Sequence, residues 1–438
     1  MFTRFSGPMS FLNLKQEYRE TQEEEEEGEM PAEGVFHVSR ARVLQVRPRD
    51  EEPHRLFNNS VYSEVDHENP DLFFDEIKPI WYLLRILGLF PISKPNKGAA
   101  TFCFASFAFV YSLAVYLAMG AVVYLVTVDR YNIIKDSKHF DDQVFAIMFM
   151  VNMLPQLVLA PCHWREAYKV VDYLTNWGQL QIQFQHAIHA PMVLNIRRKA
   201  MTLAVIMPVF STCVVVSERY MIPEMPIFIT AFYSYLLSVV HLHGAFWYLV
   251  CAALCQVGNI LTCHFTGKSQ LVECSNVAEY RGMWLRLASL TRQTGEFMGY
   301  TFCLLCVIWA ALVTVCVYGC FAGLQYGVSW KDVGMGAYSI MCLIFLYVIC
   351  DAAHQSSQYV GEVCLQQLLD LKNANKKTQQ QMDALVQIIA LNPPTMSFAG
   401  YVQVNRGFLS SFFSTMVTYL VVLLQFRMGT DVPCSPNS

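Results

Sequence analysis

Five side chains in the stretch 407–426 recur on one face of a predicted helix, and four of them are polar. Ser411, Thr415, Thr418, Val422 and Gln425 follow the spacing of successive helical turns, within a stretch that carries no charge. At about 1.5 Å per residue, the stretch is long enough to cross a bilayer core of roughly 30 Å. Hydroxyl and amide groups are costly to expose to lipid, so this stripe should face protein or water. It either bonds to neighbouring helices or lines a pore, and the periodicity leaves both open.

Two histidines lie in the longest apolar run of the chain. His241 and His243 fall in a segment, 225–266, that has no Asp, Glu, Lys or Arg. An ionisable side chain inside a membrane tends to face the interior of the bundle. Because residues two apart on a helix point in different directions, the two histidines should not act as one ligand pair. Each either bonds to a neighbouring helix or belongs to a ligand pocket or a proton-sensitive site.

Tyrosines cluster in the predicted spans, in the halves expected to face outside. A ring with a hydroxyl suits small-molecule recognition, but aromatic belts at membrane interfaces place the same residues there, so packing and pocket stay open. The residues predicted to share an outer ligand pocket are His241, Tyr233, Tyr235, Tyr318 and Tyr338.

Other chemistry has little support. The chain shows no nucleophile–base constellation, no phosphate-binding glycine loop and no pattern for nucleic-acid binding, so we predict that it is not an enzyme. Most of the 15 cysteines lie in apolar spans, where cysteine behaves as a small hydrophobic residue. Cys303 and Cys306 lack a second pair or a histidine partner, so we expect neither a metal site nor a cofactor.

The elements that position these residues are membrane helices. The 438 residues are 54% apolar and only 15% charged, against roughly 25% charged in globular domains. The predicted fold is an all-α polytopic membrane protein, in which Asn152 and Pro155 should kink the second helix. Its seven spans lie at about 101–127, 144–162, 200–217, 226–260, 299–325, 334–353 and 408–426.

Lysine and arginine concentrate in the segments on one side of these spans, for example at Arg197, Arg198 and Lys199. The positive-inside rule then predicts a cytosolic N-terminus and an extracellular C-terminus. The fourth span is twice the length that a membrane needs, and the long inner segments look helical, so we expect a packed cytosolic anchor region.

This pattern divides the chain into eight segments. They are a disordered acidic cytosolic tail (1–72), an interfacial amphipathic helix (73–98), transmembrane helices 1–4 (99–260), cytosolic anchor helices (261–298), transmembrane helices 5 and 6 (299–353), a cytosolic anchor segment (354–407), transmembrane helix 7 with the polar stripe (408–426) and an extracellular tail (427–438).

The end of the seventh span carries a recognisable motif. Thr418-Tyr419, five apolar residues and Gln425-Phe426 resemble the motif that closes the last helix of insect gustatory receptors. The motif also stands close to the C-terminus, as in that family. The resemblance in architecture extends over roughly 75–430: seven spans, a cytosolic N-terminus, short outer loops and long inner helices.

The resemblance implies a ligand-gated, non-selective cation channel of the plasma membrane of chemosensory neurons. Its subunits, embedded in membrane lipid, would form homo- or heterotetramers with related chains. The seventh helix would line the central pore, with Ser411, Thr415, Thr418 and Val422 along it and Gln425 and Phe426 at a gate near the outer end. Thr418 and Tyr419 would also help to hold that helix.

The branch of the family decides the ligand. The segments 81–91 and 405–412 resemble the carbon-dioxide receptors, whereas Leu420 stands where the sugar receptors tend to carry an acidic residue. Carbon dioxide is therefore the first expected ligand, and a bitter or sugar tastant is the alternative.

Two other classes of membrane protein fit the sequence less well. Asp129-Arg130-Tyr131 resembles the triplet of G-protein-coupled receptors, but it follows the first span on the predicted outer side. A metabotropic seven-span receptor would need an extracellular N-terminus. A secondary transporter is disfavoured because the chain has no internal repeat.

Overall fold

The long apolar segments of the sequence form long helices, as expected where a membrane leaves backbone groups no partner but each other. A computed structural model describes residues 71–93, 100–136, 140–221, 226–267, 274–324, 329–369 and 376–430. The acidic tail predicted at 1–72 lies almost wholly outside these residues. So do 94–99 of the predicted interfacial segment and 431–438 of the predicted extracellular tail.

Helices and two short hairpins alternate along the chain. In order they are α1 (Leu72–Ile86), β1 (Ile92–Ser93), β2 (Thr101–Phe102), α2 (Phe107–Asp136), α3 (Phe140–Val151), α4 (Leu154–Ile188), α5 (Arg197–Met221), α6 (Ile227–Gly267), α7 (Cys274–Phe297), α8 (Gly299–Leu324), α9 (Trp330–Gln358), a π-helical turn (Tyr359–Val363), α10 (Cys364–Leu369), α11 (Lys376–Leu391), β3 (Ser397–Phe398), β4 (Val402–Gln403) and α12 (Arg406–Thr430).

Seven helical segments within the described residues are long and apolar enough to cross a membrane, which confirms the predicted fold class. They correspond to α2, α3 with α4, α5, α6, α8, α9 with its continuation, and α12. The second segment breaks at Asn152 and Met153, and Pro155 stands in the first turn of α4. This is the position of the predicted kink.

The centre of the bundle is α6. Its 41 residues extend roughly 60 Å at about 1.5 Å per residue, as its length in the sequence suggested. It packs against α5 and α9 over much of its length and also against α1 and α7. Trp247, fully buried near its middle, donates its indole N–H to the carbonyl of Ile349 on α9 at 3.2 Å.

One side of the bundle holds α7 and α11; we call it the anchor side and the opposite side the outer side. On α7, Trp284 donates its indole N–H to the carbonyl of Val360 in the π-helical turn at 2.8 Å. The Tyr280 hydroxyl lies 3.1 Å from the Cys364 sulfur, and burial raises the pKa of this tyrosine well above its ordinary value. On the anchor side, α7 is therefore joined to the π-helical turn and to the start of α10.

The amphipathic helix predicted at 73–98 is shorter and more enclosed than expected. It ends at Ile86, and Phe73, Ile77 and Ile80 on its apolar face are fully inaccessible. This face packs against α4, α5 and α6, and Phe73 stacks on Trp177 of α4 at 4.0 Å between ring centroids. The apolar stripe of α1 is thus covered by protein. An amphipathic pattern alone does not show whether an apolar face packs against protein or against lipid.

The hairpin β3–β4 lies just before α12 and positions the start of that helix. β3 and β4 pair antiparallel, with Ser397 opposite Gln403 and Phe398 opposite Val402. The backbone of Ser397 and Ala399 lies so close to Gly295 and Gly299 that a Cβ atom at either glycine would collide with it. Glycine is therefore required where this hairpin meets α7 and α8.

Candidate pore helix and outer pocket

The polar stripe of α12 faces away from the rest of the chain. Ser411, Thr415, Thr418, Val422 and Gln425 are all exposed. Among the described side chains of this helix, Met416 is the buried one, and the half-buried Phe412 and Leu420 flank it on the face that packs against α8 and α9. At 3.6 residues per turn, the stripe lies roughly opposite Met416.

The hydroxyls of the stripe bond to their own helix. Ser411, Thr415 and Thr418 donate to the carbonyls of Gly407, Ser411 and Ser414 at 3.1, 3.0 and 2.9 Å. Within the described part of the chain, none of these hydroxyls reaches another helix. These three residues therefore do not make the predicted hydrogen bonds to neighbouring helices within the described part of this chain.

Tyr419 and Phe426 are motif residues that lie off the polar stripe. The Tyr419 side chain is 63% exposed and makes no hydrogen bond to another helix among the described residues. Phe426 belongs to α12, but its side chain lies outside the described residues.

The first turn of α12 is fastened to α9. Arg406 contacts Asp351 of α9 through two nitrogens, Nε at 2.8 Å and Nη2 at 2.7 Å from the same carboxylate oxygen. Asn405 caps the helix, since its side-chain oxygen accepts from the Phe408 backbone N–H at 2.8 Å. Movement of the anchor end of α9 would therefore act directly on the start of α12.

On the outer side, two of the predicted pocket tyrosines face one region. The Tyr338 hydroxyl donates to the Asn152 side-chain oxygen at 2.8 Å, at the break between α3 and α4. The Tyr233 ring packs edge-on against Phe149 at 5.0 Å, and its hydroxyl contacts the Phe149 carbonyl at 3.4 Å. Both tyrosines are almost fully buried.

Two charged residues complete this region, and the sequence interpretation gave neither of them a pocket role. Arg130 of α2 is 6% exposed, lies over the Phe149 ring at 5.2 Å and has no hydrogen-bond partner for Nε among the described residues. Glu218 of α5 lies within electrostatic range of Tyr233 and Tyr338. Arg130, Asn152, Glu218, Tyr233 and Tyr338 form what we call the outer cluster. The signal that could have identified this cluster is the presence of two charged residues, Arg130 and Glu218, near the ends of two different spans.

The remaining predicted pocket residues lie elsewhere or at the margin. Tyr235 points towards α1, where its hydroxyl donates to the Leu87 carbonyl at 2.9 Å. Tyr318 is half-buried on α8.

The two histidines separate, as their spacing predicted. His241 bonds through Nδ1 to the Ser211 hydroxyl at 2.8 Å and stacks on Phe345 at 4.3 Å. His243 bonds through Nε2 to His163 Nε2 of α4 at 2.5 Å, while its Nδ1–H donates to the Val239 carbonyl at 2.7 Å. Because that bond fixes Nδ1 of His243 as the protonated nitrogen, His163 donates from Nε2. Both histidines therefore join helices.

The outer cluster and the exposed stripe belong to a seven-helix membrane protein with a long central helix, and solved structures share this fold. The insect olfactory receptor OR5 from Machilis hrabei, in complex with eugenol, superimposes with a TM-score of 0.59 at 15% identity, covering 81% of this chain and 98% of that one. A second structure of OR5 gives a TM-score of 0.57 at 14% identity, covering 80% and 98%.

Sequence comparison identifies the family. The family described as 7tm chemosensory receptor matches residues 77–430. Gustatory and odorant receptors 24 and 22 of Anopheles gambiae are 29% and 26% identical over 371 and 398 residues, covering 84% and 88% of this chain and 80% and 85% of theirs. Gustatory and odorant receptor 21a of Drosophila melanogaster is 25% identical over 381 residues, with 84% of each chain covered. The chain belongs to the 7tm chemosensory receptor family, which confirms the resemblance and the prediction that it is not an enzyme.

Proposed function

We propose that this chain is a subunit of a ligand-gated, non-selective cation channel in the plasma membrane of chemosensory neurons, with α12 lining the pore. The observation that carries the proposal is the environment of α12. Only 6% of its most apolar window is buried, its one packed face meets α8 and α9, and its polar stripe faces outward. Polar groups at membrane depth need water or protein, and the described part of this chain places no protein against them.

Assembly around an axis supplies what the single chain lacks. Four copies, or four related chains, with their α12 helices facing one another would put the stripe on a water-filled path. Gln425 lies at the outer end of that path and, with Phe426, is our candidate for the gate.

The ligand site in this proposal is the outer cluster. Tyr338 belongs to α9, and Asp351 at the other end of the same helix bonds to Arg406 of α12. A ligand that displaces α9 at Tyr338 would therefore move the start of the pore helix. The proposal therefore has two sites, the outer cluster and the pore, and the contact between Asp351 and Arg406 links them mechanically.

The ligand class follows from the branch resemblance and from the chemistry of the cluster. A buried guanidinium, a carboxylate and two phenol hydroxyls offer hydrogen bonds and charge to a small molecule with polar bonds, such as the two C=O bonds of carbon dioxide. Carbon dioxide is the ligand we propose first, and a bitter or sugar tastant is the alternative.

The experiment is whole-cell current from cells that express the chain, alone and with related subunits, under pulses of carbon dioxide and a tastant panel. We expect a current carried by both Na⁺ and K⁺ that does not depend on G proteins. A current evoked only by sugars or bitter compounds would support the channel but would contradict the assignment to the carbon-dioxide receptors. Surface expression with no current in any combination would contradict the channel.

The pore assignment has a matched pair of variants. Val422→Ala changes a residue of the stripe, whereas Val417→Ala makes the same change at an exposed position of α12 off the stripe. We expect Val422→Ala, and more strongly Gln425→Ala with Phe426→Ala, to change selectivity or gating. Equal effects of both valine variants, or none from the Gln425 and Phe426 pair, would place the pore elsewhere.

The proposed orientation is tested with an epitope tag at the N-terminus. A cytosolic N-terminus leaves the tag unstained until the cells are permeabilised. Staining of intact cells would favour a metabotropic seven-span receptor instead.

A further inference from the structure

A polar pocket lies between α5, α6 and α9, well away from the outer cluster. It has a volume of about 330 Å³. Its lining combines one cation, amide and phenol groups, and small or apolar side chains: Lys199, Tyr248, Cys251, Ala252, Cys255, Gln256, Asn259, Ala352, Gln355 and Tyr359.

All three helices place the pocket at one depth. Tyr248 on α6 and Ala352 on α9 lie roughly 30 Å along their axes from the outer ends, Ile227 and Trp330, at about 1.5 Å per residue. Lys199 stands in the first turn of α5, whose other end lies on the outer side. A hydrocarbon core of roughly 30 Å that begins at the outer ends therefore stops at the pocket. The pocket is thus at the headgroup level on the anchor side.

The charge of the pocket favours an anionic ligand. Lys199 is the only charged residue among the described residues of the lining, and it is exposed without an ion pair to any of them. Glu76, an acidic residue at this end of α5, accepts from the Arg197 backbone N–H at 2.5 Å and makes no ion pair with Lys199. Among the described residues, no carboxylate therefore competes with an anion for Lys199.

A second group calls for a hydrogen-bond donor. The side-chain oxygen of Gln256 is inaccessible to solvent and has no hydrogen-bond partner among the described residues. A buried acceptor without a donor is energetically unfavourable. A headgroup that carries both a phosphate and an N–H or O–H donor would satisfy Lys199 and Gln256 together.

We propose that this pocket binds the headgroup of an anionic phospholipid, such as phosphatidylserine, from the leaflet on the anchor side. The phosphate pairs with Lys199, the headgroup donor reaches Gln256, and the acyl chains leave along the apolar surface of the helices. Tyr248 and Tyr359 frame the site with phenol rings, which are favoured at headgroup depth. A lysine at an anionic membrane surface contributes enough to change affinity about fivefold.

The test is thermal unfolding of the purified full-length protein in detergent, with added phosphatidylserine, phosphatidylcholine or glycerophosphoserine. Phosphatidylcholine has a phosphate but no net charge and no donor, and glycerophosphoserine has the anionic headgroup without tails. We expect phosphatidylserine to raise the midpoint at the lowest concentration, and Lys199→Gln or Gln256→Leu to require about fivefold more of it.

Arg198→Gln is the matched control, since it removes the neighbouring charge outside the lining, and Ala252→Phe fills the pocket without changing charge. The proposal requires that Arg198→Gln respond like the natural chain and that Ala252→Phe lose the shift. If Arg198→Gln and Lys199→Gln lose the shift in midpoint equally, the shift is due to general surface charge and the proposed site is wrong. A full shift with glycerophosphoserine would overturn a lipid as its source.

Discussion

The helices α6 and α12 are both apolar enough to cross a membrane, yet they lie in opposite surroundings. In their most apolar windows, 89% of α6 is buried inside the chain and only 6% of α12. Two histidines of α6 find partners on other helices, His241 with Ser211 and His243 with His163. Among the described residues of α12, the hydroxyls of Ser411, Thr415 and Thr418 bond to their own backbone. The first helix completes the fold of one chain, whereas the second offers its polar face to something outside it.

The largest expected difference between the two helices is in stability. Trp247→Ala in α6 removes a buried ring that packs against Phe302 and Phe398, and we expect a loss of about 3–5 kcal/mol. Tyr419→Ala in α12 removes an exposed ring, and less than about 0.5 kcal/mol should be lost in the isolated subunit. Thermal unfolding in detergent measures both. Similar losses would mean that α12 is packed within its own chain.

A threonine-to-valine change sharpens the comparison at a single hydroxyl. Thr301 donates to the buried Glu166 carboxylate at 2.6 Å, so Thr301→Val should lose about 1.5–3 kcal/mol. Thr418→Val in the stripe should leave unfolding almost unchanged, because its hydroxyl is exposed and bonds to its own helix. It should instead change current through the assembled channel. Destabilisation by Thr418→Val in a single subunit would contradict the exposed position of the stripe.

The link between α9 and α12 should contribute less to stability than the side chains of Trp247 or Thr301. Asp351→Asn breaks a partly exposed ion pair with Arg406 and should lose less than about 1 kcal/mol. If this link transmits ligand binding to the pore, ligand-gated current should nevertheless fall. Exchange of the two charges, Asp351→Arg with Arg406→Asp, should restore part of it. Normal gating in Asp351→Asn would show that coupling takes another route.

Periodicity predicted relative directions along a helix correctly. The stripe of α12 shares one face, and His241 and His243 meet different helices. Periodicity could not predict which neighbour a face meets, because helix rotation and neighbours are set by contacts distant in the sequence. Tyr235 therefore joined α1 instead of the outer cluster, and Arg130, which the sequence placed at a span end, turned inward.

The sequence by itself determined the number of spans, the excess length of α6, the break at Asn152 and the motif at the end of α12. Each of these features depends on local composition and on the constant rise per residue of a helix. Because a membrane has a fixed thickness, these two quantities are enough to identify the segments that can cross it. Only the tertiary structure decided that α1 is enclosed by protein, that the outer cluster forms, and that a polar pocket opens at headgroup depth around Lys199. Those features depend on side chains from several helices, and no stretch of sequence contains their packing.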